Sequence, residues 1–435
     1  MDRRQFLKIG TLSTGAMVAG GLPAGAKTET VKTYSSALEP QGYVKEPARR
    51  IPVVDKADVV VVGGGPAGFA AAVAAARQGA DVLVLERQYF MGGLFTGCGV
   101  TPIINMYNPV KDGEPQQAVS GICEELCDRL EKVGMISLDY VRPKVDPEAA
   151  KYYMEEMLSE AGVRFLYGVQ AAEVIMSGDR ITSVIVEGKS GRVAVNAGYV
   201  VDCSGDGDIL EWTGEDFTAY KDNIGAMWRI GNADASPKGS KTCIPGVRTM
   251  HSTGERNQDG LDMYNLTRIQ AGLRKKMWKE ALELRKTPGC EDLYLVDTPS
   301  VVGVRITRIL NSVANVTVEG AAVGKSYDDV IGFAGGDSTL DWKDIKIKAG
   351  TRKIWQVPYS SLLPKKVSNL LVAGRCFGFE RGLTYDAREV GTCLMTGQAA
   401  GTAAGIASMK RCGCRDVNIP ELQKQLRQQK VKLDW

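Results

Sequence analysis

The chain has 435 residues, enough for two lobes with sizeable cores, and its net charge of +3 leaves no electrostatic footprint for nucleic acid. Its 50 glycines follow no Gly-X-Y period, which excludes a collagen-like rod; they cluster in short runs, the pattern of tight turns where backbone approaches a ligand. The ten cysteines form no C-x-x-C grouping, which excludes common zinc, iron–sulfur and haem-attachment motifs and leaves free or buried thiols, with one or two disulfides open.

In chain order, the first segment is Asp2-Arg3-Arg4-Gln5-Phe6-Leu7-Lys8, then a weakly apolar, glycine-rich stretch to Leu22, then Ala24-Gly25-Ala26. The stretch is too short and too rich in glycine for a membrane span. The segment resembles a twin-arginine export signal ending in an A-x-A cleavage site. The resemblance implies recognition by the twin-arginine translocase and an extracytoplasmic location, in the periplasm or at the cell surface, for a protein exported already folded. Residues 1–26 are therefore set aside as a leader, and 27–57, with Pro40, Pro47 and Pro52, read as a tether.

Residues 58–62 form an apolar run consistent with a buried parallel strand, and Gly63-Gly64-Gly65-Pro66-Ala67-Gly68 follows at once. An Ala-rich helix is expected over 69–78, and a second strand over 81–85 ends at Glu86. This is strand, G-x-G-x-x-G, helix, strand and acid in the order of a dinucleotide fold. Gly63 allows the turn, Gly65 lets backbone approach a pyrophosphate, and Gly68 lets helix and strand pack closely. Glu86 offers a carboxylate to ribose hydroxyls. Further on, Asp146-Pro147-Glu148 opens a helix expected over 146–161, and strands are expected over 163–174 and 181–187.

Arg87 and Met91-Gly92-Gly93-Leu94 follow Glu86, and the later segments Asp202-Cys203-Ser204-Gly205, Val302-Gly303-Val304-Arg305-Ile306-Thr307-Arg308, Ala373-Gly374-Arg375 and the closing helix over 389–404 keep a fixed order. With these landmarks the chain resembles the FAD-dependent oxidoreductase family, related also to the flavin-binding part of heterodisulfide reductases, whose cluster motifs are missing here. The resemblance implies an α/β fold: a Rossmann-type FAD-binding domain of the glutathione-reductase type, with a second α+β substrate or cap lobe. It implies FAD as cofactor, held by Gly63, Gly65, Pro66, Ala67, Gly68, Glu86, Arg87, Gly92, Gly93, Leu94, Ala171, Ser204, Gly205, Gly374, Arg375, Gly391 and Thr392. The amides of Gly391 and Thr392 open the closing helix, and a positive helix end there would stabilise negative charge on reduced flavin. The expected domain divides into 58–100, 146–210 and 366–410; residues 101–145 and 211–365 form the cap or substrate lobe, and 411–435 a tail.

No second G-x-G-x-x-G follows a strand, so no built-in NAD(P)H domain is expected, and electrons would come from or go to a separate donor or acceptor, or a substrate in the same cleft. Arg381, Tyr385 and Arg388 precede the closing helix and are the expected catalytic or substrate-binding residues. Arg388 matches a recurrent family arginine, whereas Arg381 stands near a position where many members carry histidine. A guanidinium is nearly always charged, so Arg381 suits a carboxylate better than a proton shuttle. His251, the sole histidine, reads as a surface residue, and Cys98 as a buried thiol. Three functions stay open: an exported flavoenzyme acting on a small organic molecule, an electron-transfer subunit working with a partner protein, and a flavin-fold binding protein without turnover.

Overall fold

Strand β1 (Val53–Val62) buries Val59, Val60, Val61 and Val62, which is possible only where both faces of a sheet are covered. The computed structural model describes residues 38–104, 106–108, 116–137, 143–335 and 354–434. The Arg3-Arg4 leader and Ala24-Gly25-Ala26 lie outside the described residues. The strands and helices belong to the unit formed by residues 46–435.

After β1 come α1 (Pro66–Arg77), β2 (Val82–Glu86), α2 (Ile122–Lys132), α3 (Pro147–Glu160), β3 (Arg164–Tyr167), β4 (Gln170–Ser177), β5 (Arg180–Gly188) and β6 (Gly191–Asp202). The strands build a seven-stranded sheet in the order β3-β2-β1-β6-β5-β4, with Leu370–Val372 paired to β6. β1 is parallel to β2 and β6, with Val60 opposite Leu83 and Val200. β4 and β5 join as an antiparallel extension. Asp146 caps α3, accepting from the Glu148 and Ala149 amides at 3.0 and 2.9 Å.

The second lobe is antiparallel. β7 (Asp222–Gly231), β8 (Ser240–Lys241), β9 (Arg248–Gln258), β10 (Tyr294–Asp297) and β11 (Gly303–Val304) form a five-stranded sheet. α4 (Met263–Leu284) lies between β9 and β10 in sequence and buries Ile269, Leu273, Met277, Ala281 and Leu284, a helical stripe that joins Ile224, Trp228 and Met250 in one core. Buried Arg229 on β7 pairs with Asp146 at 3.0 Å and Asp297 at 2.5 Å, so the cap of α3 also anchors the second lobe.

The last part of the chain holds β12 (Val330–Gly335), β13 (Ile354–Pro358), β14 (Leu370–Val372), α5 (Val390–Lys410) and α6 (Ile419–Gln428). α5 is buried on every side from Val390 to Ala407, which demands cover all round. That demand groups the segments differently from the sequence reading. β1 begins at Val53, inside the expected tether. α2, expected in the cap, packs into the dinucleotide-domain core through Ile122, Leu126 and Leu130, and Arg77 bonds Glu125 at 2.8 Å. β12 presses Gly332 on Met395, and α6, in the expected tail, buries Leu422 and Leu426. Among the described residues no helix is long and apolar enough to cross a membrane.

Candidate functional site

The glycines between β1 and α1 divide by what surrounds them. Gly63 has φ +97°, and a Cβ there would lie 2.5 Å from the Cys203 carbonyl oxygen. A Cβ on Gly68 would lie 1.8 Å from the Gly63 oxygen, so Gly68 serves the packing of α1 on the strand end. Gly65 is different: a Cβ there meets no protein atom within 4 Å. Across from it, Gly93 would bring its Cβ within 3.1 Å of the Gly65 Cα. Two backbone turns therefore approach with no side chain between them, beside the free amides of α1, with Pro66 at its first turn. Buried Glu86 accepts from the Gly64 amide at 2.5 Å and the Gln88 amide at 2.6 Å, which aims its carboxylate at this cradle.

The end of β6 is pinned by Asp202. Its fully buried carboxylate accepts from Ser204 N and Oγ at 3.0 and 2.6 Å and from the Ile209 amide at 3.1 Å. The turn so held carries Gly205 at φ +77°, directly beneath Arg375. Arg375 pairs with Asp206 at 2.7 Å, yet its second terminal nitrogen, Nη1, is buried without a hydrogen-bond partner. Burial opposes the charge on Asp206, but Arg375 and Arg87 hold its carboxyl below the usual range. Asp208 moves the other way: burial, then the nearby Asp206 and Asp202 carboxylates, push it up to about 7.

These groups open into one cavity of about 490 Å³, within the size class of cofactor and small-molecule sites. Gly63, Gly65, Pro66, Ala67, Glu86 and Arg87 line it, as do Gly93, Leu94, Ala171, Ser204, Gly205, Gly374, Arg375 and Arg388. Gly68 and Gly92 shape the turns behind it, where a Cβ on Gly92 would strike Thr96. Gly391 and Thr392 are buried in the first turn of α5, and Thr392 Oγ1 donates to the Asp386 carbonyl at 2.8 Å; Val390 and Cys393 of that turn line the cavity instead.

Arg381 does not line the cavity. It is exposed, its guanidinium stacks 4.9 Å over the Tyr220 ring, and it donates to the Lys221 carbonyl at 3.1 Å. Tyr385 also stays off the wall; it is 45% exposed, with Arg305 and Arg388 stacked against its ring. His251 is exposed, with Nε2 3.4 Å from Ser240 Oγ. Sequence reasoning gave no role in the site to Arg305, Met227 or Cys393, which all line the cavity, as does Glu389 just before α5. For Arg305 a signal existed, because it lies in the segment 302–308 that carries part of the family resemblance; for Met227 on β7 there was none. Burial pushes the lining thiols Cys98 and Cys393 up to about 12, so at neutral pH they are protonated and poor nucleophiles.

The open space at Gly65, the side-chain-free meeting with Gly93, the aimed Glu86 carboxylate and the orphaned Arg375 nitrogen together fit a dinucleotide. The family described as FAD dependent oxidoreductase matches residues 58–227 and 225–426. A probable electron transfer flavoprotein-quinone oxidoreductase of Escherichia coli (strain K12) is 28% identical over 180 residues, which cover 36% of this chain and 38% of that protein. A thiamine thiazole synthase of Methanococcus vannielii is 25% identical over 232 residues, 47% of this chain and 79% of that one. This chain thus spans little more than a third of the first relative's length. Among solved structures, the myxobacterial chondrochloren halogenase has a TM-score of 0.46 at 12% identity, covering 87% of this chain and 80% of that one. With its glycine cradle, its acid and nearly its whole folded length inside the family match, the chain belongs to the FAD dependent oxidoreductase family and is an oxidoreductase whose cofactor is FAD.

Proposed function

We propose that the protein is an exported FAD-dependent oxidoreductase that admits a small organic substrate between its dinucleotide-binding sheet and its second lobe. The observation that supports this best is the continuity of the cavity: one space is lined by the glycine cradle and by Met227, Leu266, Val302 and Val304 of the second lobe. FAD, when bound, supplies the redox chemistry. The chain supplies the rest. Gly65 and Gly93 leave room for phosphate, Glu86 offers acceptors for ribose, and the apolar wall of the second lobe excludes water. The first turn of α5 reaches the same space through Val390 and Cys393, and its helix end adds a partial positive charge. Export rests on Arg3-Arg4 and Ala24-Gly25-Ala26.

The test is anaerobic absorbance spectroscopy of the purified protein against a panel of small donors and acceptors. A substrate-dependent change with this protein alone supports the reading. Reduction that requires a second protein would instead support an electron-transfer role, the reading suggested by the name of the Escherichia coli relative. With no second nucleotide fingerprint in the sequence, NADH and NADPH should reduce the protein poorly; rapid bleaching by either at low concentration contradicts this. Export is tested by replacing Arg3 and Arg4 with lysine, which should leave precursor in the cytoplasm.

A further inference from the structure

Arg305 follows β11 and lines the cavity, half-buried. Among the described residues it makes no hydrogen bond or ion pair; its contact is with a ring, its guanidinium lying 5.9 Å from the Tyr385 centroid. Arg388 lies 5.5 Å from that same centroid and also lines the cavity. It reaches Glu389 with one nitrogen at 3.2 Å, while its Nε is buried with no hydrogen-bond partner. Two guanidinium groups thus share one aromatic ring at one wall, and their donors are underused. The buried Arg388 Nε is costly to leave unpaired, whereas half-buried Arg305 keeps its donors available at the cavity wall.

Among the described residues no carboxylate pairs with Arg305. Asp206 is bonded to Arg375, while Asp208 and Glu211 are bonded to Arg308. Glu389 reaches Arg388. The remaining wall from the second lobe is apolar, with Met227, Leu266, Val301 and Val302. A planar guanidinium fork matches a carboxylate with two parallel hydrogen bonds, whereas an apolar wall takes a hydrocarbon body.

We propose that Arg305 and Arg388, spaced by the Tyr385 ring, form an anion subsite, and that the substrate is an organic carboxylate with an apolar body. This rests on the reading of the cavity as the substrate-admitting site of a flavoenzyme. Arg305 is a binding residue in this arrangement, and Tyr385 positions both arginines.

The probe is benzoate, with benzamide as its neutral counterpart, titrated into FAD-loaded protein and followed by flavin absorbance and by thermal shift. Benzoate should perturb the flavin band saturably and raise Tm, and benzamide should bind at least tenfold more weakly. Arg305→Gln should weaken benzoate at least tenfold, leave benzamide unchanged and keep its FAD; Arg388→Gln should act the same way. Equal affinity for benzoate and benzamide in the wild-type protein overturns the subsite, whether or not the variants fold. So does an unchanged benzoate affinity in Arg305→Gln. Protein that purifies without FAD and cannot be loaded overturns the functional reading and the subsite with it, whereas loaded protein that fails to tell benzoate from benzamide overturns the subsite alone.

Discussion

At the scale of single residues, the glycines of one motif do different work, and substitutions should separate them. Gly65 has extended backbone and empty space where a Cβ would go, so Gly65→Val should fold with wild-type stability as apoprotein. It should nevertheless purify without FAD, because the side chain fills the space that a pyrophosphate needs. Full FAD occupancy in this variant would remove Gly65 from the cradle. Asp208 gives a pH prediction. Its folded pKa of about 7 lies above its ordinary 3.8, so the folded protein keeps a proton that the unfolded chain has released. Its contribution to stability is therefore full below about pH 4 and is lost as pH rises through about 7. Asp208→Asn cannot titrate, and its stability relative to wild type should improve across that window, by up to about 1.4 kcal/mol for each unit of displacement. Urea unfolding at several pH values measures this, and a gap that does not change with pH would mean that Asp208 ionises normally.

At the scale of elements, the pairing of α1 with α5 decides whether the cradle exists. A Cβ on Gly397 would lie 2.1 Å from the Ala67 oxygen, and one on Gly401 would lie 2.0 Å from the Ala71 oxygen. These glycines let two helical backbones touch; they do not face the cavity. Gly401→Val should force the helices apart, at a cost of about 1–3 kcal/mol or more. Because α1 carries Pro66 and Ala67 at the cavity wall, the same variant should also lose FAD affinity, although Gly401 is far along the helix from the cradle. Thermal unfolding together with FAD content checks both effects, and a variant that loses neither would show that the contact can relax freely.

At the scale of the whole molecule, the second lobe is tied to the nucleotide-binding sheet by a buried charge. Arg229 joins Asp297 on its own sheet to Asp146 at the start of α3. Removing the guanidinium leaves the buried Asp146 carboxylate with its capping amides but no countercharge, and breaking a buried pair in this way typically costs about 3–5 kcal/mol. Arg229→Ala should therefore destabilise more than Asp297→Ala, which leaves the buried guanidinium paired with Asp146. Denaturant unfolding of the two variants decides this, and equal losses would show that Asp146 does not depend on the Arg229 charge.

Much of this protein was legible before the structure. The cradle was, because its chemistry is local: a buried strand, glycines at fixed offsets, a helix and an acid lie within 58–86, and backbone constraints act over a few residues. The cap at Asp146 was legible for the same reason. The arginines show where local reading ends. Arg381 and Arg388 stand close in sequence, but Tyr220 and the Lys221 carbonyl, far away in the chain, draw Arg381 outward while Arg388 reaches the cavity. Arg305 gains its place only because the chain returns to Tyr385 after many intervening residues. α2 and α6 were assigned by position to a cap and a tail, yet both cover α5, whose all-round burial no local pattern in their own sequences records. The sequence by itself determined the nucleotide-binding geometry, which short-range backbone sterics dictate. Only the tertiary structure decided which charged groups converge on the cavity, because that depends on which distant surfaces must be buried against each other.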